Sequence, residues 1–450
     1  MRIAHVLWLL APFSVSLLEA ADSADFLPQL CEREATAEPQ HGFISTCGRH
    51  AWTEGDDVTL YACVPRLFSG TPSSFDPVSR AFAAVSVVGR VHPAEQPSHA
   101  WDNVYSIDFE SRPSFVLRTF DCLPGIVTGL RAGSYTFSAL HEWSNWFWDL
   151  PWNSTNATAP RFPFGVALED AWEKYNAVVL RVHGSFSVTP KIRAHRPDLP
   201  ACTSDLRGRW LGGKYFPASC SLHKPTYDEF DACMAKMNGE VRVYGDSHTR
   251  RAMKTLFTKG NWCNRRREAR ACTCEDSYEK NVSFEYKSYQ NGSHVSMRWM
   301  SGTRSPKVFD DMTSGHVKVM VVGGLSAWSL AGDDFSTYIS LLEKTVHALR
   351  RSDVQTLIFR NAPAFCCTVD QTRQRRYTSK RDVLFNRLFR QRMQAAFPNA
   401  LWWDTRAITE ARPLDALKAN SESCNSNHMD SQLVEDDLGI FMHFICMLAK

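Results

Sequence analysis

An apolar run that ends in Gly-Asp-Ser and leads into a helical pattern is the feature that most constrains this chain. It occupies residues 241–250, with Ser247 at the junction. A strand that feeds directly into a helix is typical of open α/β sheets, where ligands bind beyond the carboxyl ends of the strands. A serine there has an exposed hydroxyl beside helix N-terminal amides, which suits attack on an ester carbonyl. The plainer alternative is a turn with a helix N-cap, which is the more frequent explanation of a lone tripeptide.

The periodicity after Cys202 predicts a sheet with helices between its strands. Apolar strand-like runs and helical patterns alternate along this half of the chain. The strand-like runs are residues 241–244, 295–300, 317–322, 354–359 and 401–403, and the helical patterns are residues 249–258, 335–351, 381–397 and 430–448. This alternation predicts a three-layer, flavodoxin-like α/β domain over residues 205–450.

The first half shows short β-branched and aromatic runs separated by turn residues. They are residues 58–64, 81–91, 104–109, 115–120, 134–140 and 177–188. Their spacing predicts an all-β, immunoglobulin-like sandwich over residues 22–190, and the proline-rich residues 191–204 are interpreted as a linker. The tryptophan-rich residues 143–152 favour core positions over a sugar-stacking surface.

Composition limits the cellular compartment and the classes of partner that are expected for this chain. The 450 residues, 44% of them apolar, are enough to fill two cores. A net charge of +3 indicates neither nucleic acid nor an anionic membrane as a partner. Fourteen cysteines, including Cys272, Cys274 and the adjacent Cys366 and Cys367, lack metal-ligand spacing and predict disulfides in an oxidising compartment. No metal or organic cofactor is indicated.

The N-terminus supports a secretory origin. Residues 1–21 contain a short apolar core behind an arginine and predict a secretory signal peptide, with an uncleaved Golgi membrane anchor as the alternative. Four Asn-x-Ser/Thr sequons begin at Asn153, Asn156, Asn281 and Asn291, and these asparagines are the expected glycosylation sites.

Because a serine hydroxyl needs a base within hydrogen-bond reach, the histidines decide the chemistry. His428 precedes the last helical pattern, and we expect it at the mouth of the sheet. His443 lies in an apolar run and is interpreted as a hydrogen-bonded core histidine. His248 adjoins Ser247, and we expect its side chain to point away from that of the serine.

These blocks resemble the SGNH/GDSL hydrolase superfamily. Within it they are most similar to the PC-esterase branch, which includes plant trichome-birefringence-like polysaccharide O-acetyltransferases and the neurexophilin-and-PC-esterase proteins. The resemblance covers residues 205–450 and is carried by Arg209, Trp210, Cys220, residues 244–250, residues 321–325, Trp328, residues 359–363 and His428. A β-sandwich before such a domain resembles the neurexophilin-and-PC-esterase layout.

The resemblance implies that Ser247 is the acyl-accepting nucleophile and His428 its base. The family has Asp-x-x-His before its last helix, but here Asn425 stands in place of the aspartate. Asparagine does not stabilise an imidazolium as a carboxylate does. Asp404 and Asp430 are therefore alternative acids.

The resemblance also implies an oxyanion hole. A tetrahedral intermediate needs donors placed where negative charge develops. The Ser247 amide and Gly302 are two expected donors, and Gly324, Ser326 or Asn361 is the third. An ordinary turn explains the glycines equally well.

Taken together, these features predict a secreted or luminal carbohydrate O-acyl enzyme. It would transfer or hydrolyse acyl groups, with acetyl expected, through an acyl-Ser247 intermediate on glycans of the secretory pathway or cell surface. A transferase would also need an acetyl donor in the lumen. The alternative is a catalytically degenerate SGNH scaffold that acts as a secreted binding or signalling protein, and Asn425 favours it.

Overall fold

The computed structural model describes part of the chain in detail. The described residues are 31, 42–65, 85–95, 101–110, 114–117, 120–144, 178–190, 199–261, 286–333, 335–365, 379–412, 428–429 and 431–450. Several sequence expectations lie outside them: the signal at residues 1–21, the sequons at Asn153, Asn156 and Asn281, the cysteines Cys272, Cys274, Cys366 and Cys367, and most of the tryptophan-rich segment.

Eleven strands in the described part of the first half form one hydrogen-bonded sheet. They are β1 (Phe43–Ser45), β2 (Ala51–Thr53), β3 (Val58–Pro65), β4 (Val85–Pro93), β5 (Tyr105–Phe109), β6 (Phe115–Leu117), β7 (Phe120–Val127), β8 (Gly133–Ser144), β9 (Val178–Val179), β10 (Arg181–His183) and β11 (Phe186–Thr189). Their order is β10-β1-β3-β7-β5-β4-β8-β11-β2, with β6 beside β7 and β9 beside β8.

The predicted all-β character of this first half is confirmed, whereas its immunoglobulin-like arrangement stays a prediction. Residues 105–107 of β5 pair with β4 and residues 108–109 pair with β7, so β5 links the two groups of strands. The resulting sheet curls around an apolar core that includes Leu60, Leu123 and Phe137. Alternating burial predicts strands with one face on a core, but it does not specify which strands become neighbours.

A short hairpin connects the two halves of the molecule. It consists of β12 (Gly208–Leu211) and β13 (Lys214–Pro217). The carboxylate of Asp102, from the large sheet, accepts hydrogen bonds from the backbone amides of Gly212 and Gly213 at 2.8 and 3.3 Å. Beside this contact, Trp101 packs edge-on against Trp210 at 5.5 Å. These contacts hold the hairpin against the β half.

The second half contains a mainly parallel sheet. Its strands are β14 (Glu240–Gly245), β15 (Tyr286–Ser288), β16 (His294–Trp299), β17 (His316–Val322), β18 (Asp353–Arg360) and β19 (Leu401–Trp403). They lie in the order β15-β16-β14-β17-β18-β19, with β15 antiparallel at the edge. The five parallel strands, numbered along the chain, have the order 2-1-3-4-5 of a flavodoxin-type doubly wound sheet. All five predicted strands, and the α/β class, are confirmed.

Helices cover both faces of this sheet. They are α1 (Tyr227–Met237), α2 (Ser247–Phe257), α3 (Val308–Met312), α4 (Ala327–Gly332), α5 (Phe335–Arg351), α6 (Ser379–Ala396), α7 (Thr405–Glu410) and α8 (Ser431–Leu448). One core joins α1, α2 and α8 to the face that carries Val241 and Val243. The other joins α5 and α6 to the face that carries Tyr244. Successive strand residues point to opposite faces, which explains this division into three layers.

Four disulfides are present among the described residues. They join Cys31 to Cys47, Cys63 to Cys122, Cys202 to Cys220 and Cys233 to Cys446. Disulfides of this number are typical of an oxidising compartment, as predicted. Because Cys202 is buried as well as disulfide-bonded, the expected linker at residues 191–204 ends before it. No described helix is long and apolar enough to cross a membrane.

A buried ion pair joins the layers beneath the carboxyl ends of the strands. Arg360 of β18 donates to Asp437 of α8 at 2.8 Å, and both side chains are 0% exposed. The other oxygen of Asp437 accepts from Trp403 at 2.8 Å and Thr405 at 2.7 Å. Arg360 also donates to Thr249 of α2 at 3.2 Å. The pair therefore connects α2, α8 and the β18–β19 edge.

We predict that Asp437→Asn destabilises the protein strongly. It would leave the charge of Arg360 buried without its partner, which costs about 3–5 kcal/mol in comparable cases. Asp436→Asn is the matched control, because the neighbouring Asp436 pairs with a solvent-accessible Lys224. A pair of that kind contributes about 1 kcal/mol or less. Urea unfolding of the two variants measures the difference, and equal losses would contradict the role of the ion pair.

Candidate active site

The turn between β14 and α2 presents Ser247 at the start of a helix. Asp246 is the N-cap, and its carboxylate accepts from the amides of His248 and Thr249 at 3.0 and 3.5 Å. A side chain at Gly245 would come within 2.2 Å of Thr249, so only glycine fits this tight turn. The N-cap interpretation is thus confirmed, and it is the same geometry that places the serine hydroxyl at the sheet edge.

The structure brings Ser247 and His428 together. Nε2 of His428 lies 2.6 Å from Oγ of Ser247, within hydrogen-bond distance, although the residues are 181 positions apart. Both are partly exposed. This is the nucleophile–base contact that serine activation requires.

Two residues of the nucleophile helix contact the base or the backbone beside it. Arg251 donates from Nη1 to the carbonyl oxygen of Met429, the residue after His428, at 3.0 Å. The His248 ring lies with its centroid 4.9 Å from that of His428. The sequence placed His248 away from Ser247, and it did not anticipate this contact with the base.

The third member of a catalytic triad is not resolved by the described residues, because Asn425 and Asp430 lie outside them. Asp404 has a different role. It caps α7, and its carboxylate accepts from the Ala407 amide at 3.1 Å, from Asn361 at 2.6 Å and from Arg390 at 3.2 Å. Asp404 is thus a helix-capping residue, and its role as an alternative acid stays a prediction.

The glycines expected in the oxyanion hole have packing roles. The Gly302 amide donates to the carbonyl oxygen of Gly324 at 2.8 Å, so it is already bonded. Gly302 also has a φ of +59°, in the region that favours glycine. At Gly324 an added Cβ would come 2.1 Å from the Met300 carbonyl oxygen. Close backbone packing explains both glycines, and the donor role expected of the Gly302 amide is corrected.

The polar candidates for the third donor are also engaged. The amide nitrogen of Asn361 binds Asp404, and its oxygen accepts from the Arg406 amide at 3.0 Å. The hydroxyl of Ser326 accepts from the Ala362 amide at 3.1 Å, and accepting does not use its own hydrogen. The donor roles of Asn361 and Ser326 stay predictions. The Ser247 amide, at the first helical position, has no acceptor within its own helix, and it remains the expected oxyanion donor.

Burial shifts the pKa values of two ionisable side chains beside Ser247, those of Asp246 and His248. Desolvation raises the pKa of Asp246 to about 6, although the positive charge of Arg360 opposes that rise. Burial also holds the pKa of His248 well below 6.5, and the charges of His428, Arg360 and Arg251 lower it further. His248 is consequently neutral at physiological pH.

An exposed aromatic face lies beside the nucleophile turn. Trp299 ends β16 directly opposite Gly245 in the strand register, and its side chain is 40% exposed. The Arg250 guanidinium lies 4.7 Å from the centre of its ring, as in a cation–π contact. This places an indole next to the residues that deliver Ser247.

A large cleft of about 1950 Å³ lies elsewhere, between the β half and the second half. Its walls include Tyr105, Phe216 and Arg406, and neither Ser247 nor His428 lines it. Large clefts often bind ligands. Here the serine–histidine contact is the stronger indication of chemistry, because it supplies a nucleophile and a base rather than space alone.

Two other predictions can be checked directly. His443 is a core histidine, as expected, with its ring nitrogens 3.1 Å from the His223 carbonyl oxygen and 3.3 Å from that of Cys202. Asn291, the sequon asparagine within the described residues, is exposed, and its side chain donates to the carbonyl oxygen of Ala235 at 3.1 Å.

Sequence reasoning missed Arg251 and the proximity of His248 to His428. The one available signal was helical spacing, because Arg251 follows Ser247 by four residues and therefore lies on the same helix face. The expected pairing of Ser247 with His428 brought this face to the segment containing His428, but it did not indicate that Arg251 would bond the Met429 carbonyl oxygen.

Comparison with known proteins assigns this site to no family. The chain matches no family model. No curated protein matches it either.

We predict that Asp246→Asn changes the pH dependence of stability. A folded pKa raised to about 6 means that Asp246 contributes stability at low pH which is lost as the pH rises through that value. Asparagine keeps the capping oxygen without the charge. The stability of the variant relative to wild type should therefore rise by on the order of 2–3 kcal/mol between pH 4 and pH 8. Urea unfolding at unit pH steps tests this, and a constant difference would contradict it.

Proposed function

We propose that this protein is a serine-dependent carbohydrate O-acyl enzyme of the SGNH type, close to the PC-esterase branch. It would transfer or hydrolyse acetyl groups on glycans of the secretory pathway or cell surface. The contact of 2.6 Å between Ser247 Oγ and His428 Nε2 is the observation that carries the proposal.

The chemistry follows from this pair. His428 takes the hydroxyl proton as Ser247 Oγ attacks the ester carbonyl, and a tetrahedral intermediate forms. The intermediate collapses when the ester C–O bond breaks, and His428 gives its proton to the departing alcohol. Water or a sugar hydroxyl then attacks the acyl-serine by the same steps in reverse. The Ser247 amide at the helix N-terminus is the proposed donor to the oxyanion.

The topology supports the SGNH assignment. The nucleophile follows β14, the first strand of the parallel sheet along the chain, and the base directly precedes the final helix α8. Both residues lie at the carboxyl edge of a doubly wound sheet, where ligands bind in such folds. This order of nucleophile and base is also what the resemblance implied, and an all-β half precedes it.

Two observations support a glycan substrate in the secretory pathway. The exposed indole of Trp299 beside the nucleophile offers an apolar face of the kind on which sugar rings stack. The four disulfides suit a luminal or extracellular protein. Transferase and hydrolase share the acyl-enzyme, and a transferase would take its acetyl group from a donor present in the lumen.

The second candidate function is a secreted binding or signalling protein on a degenerate SGNH scaffold. It is favoured by Asn425 at the position of the family aspartate. In serine hydrolases the orienting carboxylate contributes large rate factors, of about 10⁴ when it becomes an amide. A folded protein that forms no acyl-serine would support this alternative.

We predict that Ser247→Ala and His428→Ala each reduce the hydrolysis of an aryl acetate at least about 10³-fold, because the two residues act as one unit. Intact mass after rapid quenching should show an acetyl adduct of the wild type that is missing from Ser247→Ala. Full turnover by folded Ser247→Ala protein would overturn the proposal.

His443→Gln is the matched histidine control. Glutamine lacks the ring whose nitrogens lie 3.1 and 3.3 Å from the carbonyl oxygens of His223 and Cys202, so we expect a loss of about 1–3 kcal/mol in unfolding free energy. The turnover of the folded fraction should remain within a few-fold of wild type. A collapse of turnover with unchanged stability would assign His443 to the chemistry instead.

A further inference from the structure

His248 has a placement that ordinary core packing does not explain. Its ring is 4% exposed, and its Nδ1 is buried with no hydrogen-bond partner among the described residues. Leaving a buried polar atom unpaired costs free energy, so such atoms are rare in folded proteins. They are expected mainly at functional or strained sites. An aliphatic side chain would fill the same space without that cost.

The contacts of His248 are made by the flat faces and edges of its ring. Its ring centroid lies 4.9 Å from that of His428, with the planes tilted by 50°. It also meets Phe365 edge-on, with centroids 5.8 Å apart. His248 thus contacts both His428 and the loop after β18. Its ring limits movement of the His428 ring towards it, and Phe365 in turn contacts His248.

The charge state of His248 suits this position. Arg251 of the same helix and Arg360 of β18 lie near it, Asp246 caps the helix two residues before it, and His428 lies alongside. Burial among these groups keeps the His248 ring uncharged. A neutral neighbour does not repel the positive charge that forms on His428 when it takes a proton.

Arg251 holds the same segment from the backbone side. It is 6% exposed, and its hydrogen bond to the Met429 carbonyl oxygen fixes the peptide that follows His428. Residues 247, 248 and 251 therefore place the nucleophile, a ring contact and a backbone contact on one helix. Nucleophile and base are positioned relative to each other through this helix.

We propose that His248 is a positioning residue that holds the imidazole of His428 in line with Ser247 by ring contact. This inference rests on the proposed function, because the position of His428 affects catalysis only if His428 acts as the base. It assigns to His248 part of the orienting task that an aspartate at position 425 performs in the family. Because a small misplacement of a reacting group can cost about 10²-fold in rate, ring contact of this kind is enough to matter.

The test compares wild type with His248→Ala, which removes the ring, and His248→Phe, which keeps an aromatic ring without nitrogen. His316→Ala is the control, since His316 is exposed at the start of β17, away from the carboxyl edge. Two quantities are measured: the kcat and KM for an aryl acetate, and the ¹⁵N chemical shifts of the His428 ring in histidine-labelled protein. Thermal unfolding verifies that each variant is folded.

We expect His248→Ala to lower kcat about 10- to 100-fold with little change in KM, and to move the ¹⁵N shifts of His428 towards those of a free imidazole. His248→Phe should recover most of kcat and the wild-type shifts, and His316→Ala should match wild type in both.

Unchanged His428 shifts in folded His248→Ala protein would overturn the proposal, whatever the rate. A wild-type protein that does not react with the ester would instead overturn the proposed function. In that case the chemical shifts alone still decide whether His248 positions His428.

Discussion

The buried pair of Arg360 and Asp437 is the interaction on which the rest of the second half depends. A charge this far from water needs an opposite charge and hydrogen bonds to offset its desolvation. Here they come from three directions, because Asp437 lies on α8, Arg360 ends β18, and Thr249 belongs to α2. The helix that begins at the nucleophile and the helix that follows the base are thereby anchored to one fixed charge pair.

That anchoring explains how residues from distant parts of the chain meet with atomic precision. Ser247 is placed by a turn that only Gly245 allows, and by the Asp246 cap. His428 is placed by what surrounds it, through the ring of His248 and the hydrogen bond from Arg251 to the following peptide. The local turn therefore sets the nucleophile, whereas packing between α2 and the start of α8 sets the base.

Several polar groups at the same sheet edge maintain the architecture rather than the chemistry. The Asp404 carboxylate and the Asn361 side chain bind each other and the first turn of α7. The Gly302 amide closes a loop onto Gly324. A carboxyl edge rich in polar residues thus holds the Ser247–His428 contact within a larger frame that satisfies buried backbone groups.

The sequence by itself determined the strands and helices of the second half and the capped turn at Ser247, because periodicity and turn chemistry are local properties of the chain. The pairing of that serine with His428 was expected from the family resemblance and not from any local pattern. Only the tertiary structure decided that β5 joins the first half into one curled sheet, that Asp404 caps a helix, and that His248 lies against the base. Each of these outcomes depends on which residue, distant in the sequence, packs against a given strand, carboxylate or ring. That choice is made by the packing of the whole core, and no short segment of sequence contains it.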